Sequence, residues 1–124
     1  MVQIRLLGDA RRSIATALAQ SVDIFGEQAA TRYAALIRQA ISDFATDPTG
    51  PAVRRLGTRR PLLRYDLISS RRNVETAIGR VVHPRHFLVG RLEDDVPRIL
   101  FLADDRMKPE NLPRRSRGSD RNEA

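Results

Sequence analysis

The chain of 124 residues is long enough for one domain with a modest core, since 41% of its residues are hydrophobic. It has no cysteine, which excludes disulfide scaffolds, zinc ribbons and thiol catalysis. No apolar run approaches the roughly 18 residues of a membrane-spanning helix, and the first residues lack the apolar stretch of a signal peptide. We therefore expect a soluble, cytoplasmic protein with no membrane partner.

The net charge of +7 is concentrated in the middle of the chain. Residues 51–92 hold ten arginines against Asp66 and Glu75, whereas residues 1–50 are neutral overall and residues 93–124 carry a net charge of −1. Of the 22 basic residues, 21 are arginine, whose planar guanidinium suits phosphate and carboxylate, although a GC-rich genome would give the same bias. The middle segment predicts an anionic partner: RNA, DNA or an acidic protein segment.

The first 45 residues predict a short strand followed by two amphipathic helices. Val2, Ile4 and Leu6 alternate with polar residues, as in a half-buried strand, and Asp9 is the expected N-cap of the first helix. Residues 10–25 and residues 27–45, separated by Gly26, each place their apolar side chains on one helical stripe. The stripes are Ile14, Leu18, Val22 and Phe25, then Tyr33, Ile37, Ala40, Ile41 and Phe44. Two such helices joined at a glycine predict an antiparallel hairpin.

The remaining residues predict strands and loops. The segment Asp47-Pro48-Thr49-Gly50-Pro51 stops the second helix. We expect an exposed basic loop at residues 52–61, a strand at 62–69 and a turn at 70–73, with residues 74–82 either strand or irregular. Residues 86–89 and 99–102 predict an antiparallel hairpin at the heart of the sheet, joined by the polar turn Glu93-Asp94-Asp95.

The order of these elements predicts an α+β fold: an N-terminal strand, an antiparallel helical hairpin and then a mainly antiparallel sheet of about three to four strands. After Leu112-Pro113 the chain contains no apolar residue before Ala124. We therefore expect a domain of residues 1–113 and a disordered polar tail of residues 114–124.

Several short motifs occur in an order that points to a known family. The helix junction reads Phe25-Gly26-Glu27-Gln28-Ala29, followed by Tyr33 and Leu36. The later strand reads Pro84-Arg85-His86-Phe87-Leu88-Val89-Gly90-Arg91, and the chain then continues with Asp105-Arg106-Met107 and Asn111-Leu112-Pro113. Over residues 2–113 these motifs resemble those of the ParE/RelE family of bacterial toxin–antitoxin toxins, ParE more than RelE.

This resemblance implies the toxin of a type II toxin–antitoxin system that inhibits DNA gyrase and is neutralised by a cognate antitoxin. Two departures from the family keep alternatives open. Gly90 stands where the family usually has tyrosine, and residues 101–104 replace its usual R-V-L-H. A RelE-like ribosome-dependent mRNA endonuclease, with RNA and the ribosome as partners, is the enzymatic alternative. A non-toxic remnant that only binds its antitoxin is the third.

The candidate functional residues are mostly arginines. We expect Arg85, Arg91 and Arg106 to be the cations that bind the target. The wider basic surface comprises Arg54, Arg55, Arg59, Arg60, Arg64, Arg71 and Arg72. His86 is the candidate catalytic base in the endonuclease alternative, although a histidine on an apolar strand is more often structural. His83 and His86 have no cysteine or acid pair near them in the sequence, so we expect no metal site and no cofactor.

Overall fold

A computed structural model describes residues 5–57, 62–74, 78–79, 81 and 84–104. In chain order these form β1 (Arg5–Leu6), α1 (Gly8–Phe25), α2 (Glu27–Thr46), β2 (Val53–Leu56), β3 (Leu62–Asp66), a 3-10 helix (Leu67–Asn73), β4 (His86–Glu93) and β5 (Val96–Asp104). The α+β class and the antiparallel helical hairpin are confirmed. The expected tail at residues 114–124 lies outside the described residues.

The two helices meet at Gly26, whose φ of 93° lies in the left-handed region that glycine adopts without strain. The stripe of α2 is buried or half-buried along its length, as its spacing predicts. The stripe of α1 is packed only over Ile14 and Leu18, because Val22 and Phe25 near its end are exposed. The predicted cap is wrong: Leu7 precedes α1 without a side-chain cap, and Asp9 lies in its first turn, paired with Arg12.

The five strands form one sheet in the order β1-β5-β4-β3-β2. Only β1 and β5 pair in parallel, and the other pairs are antiparallel. The predicted hairpin is confirmed and occupies the interior of the sheet as β4 and β5. Its turn uses Asp94 and Asp95, both with positive φ, which is the conformation of the two-residue turn that matches strand twist.

Two predictions for the middle of the chain are wrong in detail. The expected basic loop contains strand β2, whose Arg54 and Arg55 pair with Arg64 and Leu63 of β3. The predicted strand at residues 62–69 ends at Asp66 and gives way to the 3-10 helix. An edge strand can carry charged residues because one of its sides stays in water, and this is why β2 has the composition of a loop.

The sheet separates two apolar clusters. On one face, α1 and α2 cover Tyr65, Leu88, Ile99 and Leu102. On the other, which we call the outer face, Phe87, Val89, Leu100, Phe101 and Ala103 are buried together with Leu7. A bulge between Val89 and Gly90 shifts the register of β4 against β5, so alternation along β5 is interrupted at Leu100. The departures at Gly90 and residues 101–104 thus lie within the packed sheet.

Candidate functional site

Five arginines belong to the outer face, away from the helices. Arg54 and Arg64 are directly paired across β2 and β3, and Arg91, Arg98 and Arg5 form a row across β4, β5 and β1. Their chain neighbours Leu6, Leu63 and Ile99 pack on the helix side. Because successive side chains of a strand alternate between faces, the arginines are directed to the opposite side.

Asp66 holds the first two of these arginines. Its Oδ2 accepts a hydrogen bond from Arg54 Nη2 at 2.6 Å, and its Oδ1 accepts one from Arg64 Nε at 2.9 Å. The Arg64 guanidinium also stacks on the ring of Phe87, 3.8 Å from the ring centroid. One carboxylate therefore fixes two guanidiniums and leaves this triad with a net charge of +1.

Glu93 holds the next two arginines in the same manner. Its Oε1 forms an ion pair with Arg98 Nη2 at 3.2 Å, and its Oε2 accepts a hydrogen bond from Arg91. Only 11% of the Arg98 side chain is exposed, so this guanidinium is held within the sheet surface. With Arg5 exposed beside Arg98, the described outer face carries five arginines against two carboxylates. Such a surface attracts anionic partners.

His86 lies on the helix side of the sheet. Its Nδ1 is 2.6 Å from the hydroxyl of Tyr33 in α2, and the two rings pack edge to face with centroids 5.4 Å apart. Arg91 lies five residues further along β4 on the outer face. The structure therefore does not bring His86 and Arg91 into one site.

The remaining candidate residues are dispersed. Arg85 is exposed immediately before β4, and Arg55 lies on β2 opposite Leu63, on the helix side. Arg71 and Arg72 lie in the last turn of the 3-10 helix. Arg59, Arg60 and Arg106 lie outside the described residues.

Sequence reasoning missed Arg5, Arg98, Asp66 and Glu93 as members of the arginine face. The available signal was the two-residue turn at Asp94 and Asp95, which sets the hairpin register and places Arg98 opposite Arg91. No feature of the sequence indicated the ion pair between Asp66 and Arg54, because it depends on the pairing of β2 with β3 and residues 53–56 do not have the pattern of a strand.

A second polar cluster anchors the 3-10 helix to α2. Asp43 accepts hydrogen bonds from Gln39, Ser70 and Asn73, at 2.9, 2.6 and 2.9 Å. The fully buried Ser70 hydroxyl is also 2.7 Å from the hydroxyl of Tyr65. Burial raises the pKa of Tyr65 above its usual value, the nearby Asp43 charge raises it further, and the bond to Ser70 opposes both. This cluster is structural, since its hydroxyls are buried.

The described residues contain neither a cluster of metal-ligating side chains nor a helix of membrane-spanning character. Among those residues, no group of three or more histidine, cysteine, aspartate or glutamate side chains could hold a metal ion. Within the same ranges, no helix is long and apolar enough to cross a membrane.

No protein-family model matches the chain, and no curated protein matches it by sequence. The fold has a counterpart among solved structures. A chain in the crystal structure of the toxin–antitoxin complex RelBE2 from Mycobacterium tuberculosis superposes with a TM-score of 0.51 at 14% sequence identity. The match covers 83% of this chain and 96% of that one. The protein is therefore similar in fold to a component of a toxin–antitoxin complex.

Proposed function

We propose that this protein is the toxin of a type II toxin–antitoxin pair, that it arrests growth by inhibiting DNA gyrase, and that a cognate antitoxin neutralises it. Two observations support a toxin: the order of the ParE/RelE-like motifs and the fold shared with a chain of a toxin–antitoxin complex. Because the sequence identity to that chain is only 14%, the fold alone does not assign the function, and the assignment depends on the residues of this chain.

The observation that carries the choice of a protein target is the separation of His86 from the arginine face. An endonuclease of this kind requires a proton-transfer group and charge-stabilising cations around one phosphate. Here His86 contacts Tyr33 on the helix side, whereas four outer-face arginines are held by Asp66 and Glu93. Arginines that carboxylates hold in place across several strands are suited to binding another protein.

The antitoxin partner follows from the charge of the same surface. An acidic, amphipathic antitoxin segment that folds on binding would find unbalanced positive charge on the outer face. Its carboxylates would compete with Asp66 and Glu93 for the guanidiniums. We therefore assign the antitoxin groove to the outer face of the sheet.

The direct test is supercoiling by purified gyrase in the presence of the purified chain. We expect inhibition by the wild-type chain and inhibition weakened by about tenfold in Arg85→Ala and in Arg91→Ala, since removing one charged side chain from an interface costs about 1–2 kcal/mol. Arg38→Ala is the matched control, because it removes an exposed arginine from α2, away from the outer face. Full inhibition by a variant that lacks both Arg91 and Arg106 would contradict the assignment.

One observation favours the mRNA endonuclease as the second candidate. The Nδ1 atom of His86 lies 2.6 Å from the hydroxyl of Tyr33, and both side chains are half-buried, so two groups that can transfer protons meet where water still reaches them. Cleavage of mRNA on purified ribosomes by the wild-type chain, and its loss in His86→Ala, would establish this activity in place of gyrase inhibition. A chain that is harmless in both assays yet binds its antitoxin tightly would be the non-toxic remnant.

A further inference from the structure

The tip of the helical hairpin, residues 19–31, exposes a concentration of apolar side chains. Phe25 is 72% exposed, Ile24 is 69% exposed and Val22 is 40% exposed. Asp23 is exposed as well, so the last turn of α1 is in contact with water on all sides. Only two other large hydrophobic side chains of the described residues, Ile68 and Ile78, are comparably exposed. Clustered exposed apolar groups mark interaction sites.

The charge of the tip is opposite to that of the rest of the chain. Residues 19–31 contain no lysine or arginine and two acids, Asp23 and Glu27, whereas the remaining residues carry a net charge of +9. The tip is therefore the acidic end of a strongly basic protein. It is electrostatically unsuited to the acidic partner that the outer face attracts.

The end of α1 is also unfavourable to its own helix. The carbonyl end of a helix carries partial negative charge and is stabilised by basic residues, but the last turn of α1 has none and contains Asp23. Asp23 lowers the stability of this helix end, and the exposed side chains of Ile24 and Phe25 bury little area on folding and so contribute little to stability. Violations of local rules that no internal contact compensates are expected where a surface serves a partner.

We propose that the hairpin tip is a docking site for a basic, amphipathic segment of a second partner protein. The apolar side of that segment would cover Phe25 and Ile24, and its lysines or arginines would face Asp23, Glu27 and the carbonyl end of α1. A second copy of this chain placed tip to tip would instead bring four acids together without a counter-charge. The tip is thus a binding surface separate from the arginine face and of opposite charge preference.

The test uses the full chain and a labelled helical peptide of leucine and lysine, with a leucine–glutamate peptide as the charge-reversed probe. We expect the lysine peptide to bind, the backbone amide shifts that it causes in the protein to map to residues 19–31, and the glutamate peptide to leave those residues unperturbed. Ile24→Gln with Phe25→Gln should weaken binding by about tenfold, and Asp23→Lys should weaken it as well. Ile68→Gln is the matched control, because Ile68 is 49% exposed beside Arg71 and Arg72.

Three results would overturn the proposal. If the double variant bound the lysine peptide as tightly as the wild-type chain does, Ile24 and Phe25 would not be part of the binding site. If the glutamate peptide shifted the backbone amide signals of residues 19–31, the tip would not prefer a basic partner. Self-association of the chain alone, abolished by the double variant in sedimentation measurements, would make a second copy the occupant. Because the substituted side chains are exposed, the variants should fold, and far-UV circular dichroism verifies this.

Discussion

Gly90 provides the sharpest test of the packing between the helices and the sheet. It lies in β4 at the bulge, buried on the helix side beneath the ring of Phe44. A Cβ atom at this position would lie 2.5 Å from the backbone oxygen of Arg98 and 3.2–3.3 Å from the Phe44 ring. A side chain at this position would meet the backbone of β5, so the core of this protein requires glycine here.

We therefore expect Gly90→Ala to lower the free energy of unfolding. Forcing one extra methyl group into a packed core costs about 1–3 kcal/mol. For a domain of this size that corresponds to a fall in Tm of about 4–12 °C. Thermal unfolding followed by far-UV circular dichroism measures it. Replacing Phe44 with leucine in the same chain should not restore Tm, because the nearest atom is a backbone oxygen that a smaller side chain leaves in place.

Gly8→Ala is the matched control for this substitution. A Cβ atom at Gly8 would meet the Arg12 guanidinium at 3.6 Å, which is an ordinary contact, and alanine is the better helix residue at the start of α1. Its effect should be neutral or stabilising by up to about 1 kcal/mol. If the Gly90→Ala chain had the Tm of the wild-type chain, Gly90 would not be packed tightly between Phe44 and the backbone of β5.

Three further predictions concern stability. Asp43→Ala should lower the free energy of unfolding by about 2–3 kcal/mol in urea denaturation, since it leaves the buried Ser70 hydroxyl without its acceptor. The pKa of Tyr65 is raised in the folded state, so as the pH rises above about 10 this phenol ionises first in the unfolded chain. Its contribution to the free energy of unfolding should therefore be complete below about pH 10 and be lost above it, and Tyr65→Phe should remove this part of the pH dependence. Arg64→Lys should cost about 1 kcal/mol because an ammonium group cannot stack flat on Phe87, whereas an unchanged denaturation midpoint would assign the stacking no energetic role.

Much of the fold was predictable because the apolar residues of each long element repeat at a spacing that is typical of either a helix or a strand, but not of both. The helical stripe of α2 and the apolar runs of β4 and β5 each match a single structure, and Gly26 marks the helix junction. β2 escaped recognition because its two arginines are consecutive between Val53 and Leu56, so alternation is absent. The exposure of Phe25 was likewise unpredictable, since a helical stripe does not reveal how far the sheet beneath it extends.

The candidate site was less predictable, because it depends on register. The sequence places Arg91 on a strand, but its partnership with Glu93 and Arg98 follows from the turn and from pairing across β4 and β5. His86 and Arg91 are close in the sequence and belong to the same motif. An odd spacing of five residues on one strand places them on opposite faces, but this follows only once β4 is known to run unbroken from His86 to Glu93.

The measurement that tests the central claim most directly is pulse labelling after the chain is induced alone in a bacterium. Thymidine and methionine incorporation are followed over the first minutes, with the Arg91→Ala chain induced in parallel. Gyrase inhibition predicts that thymidine incorporation falls first and that the variant delays this fall. An initial fall in methionine incorporation would contradict the claim and assign the arginines to RNA phosphate, and normal incorporation of both labels would contradict a toxin altogether.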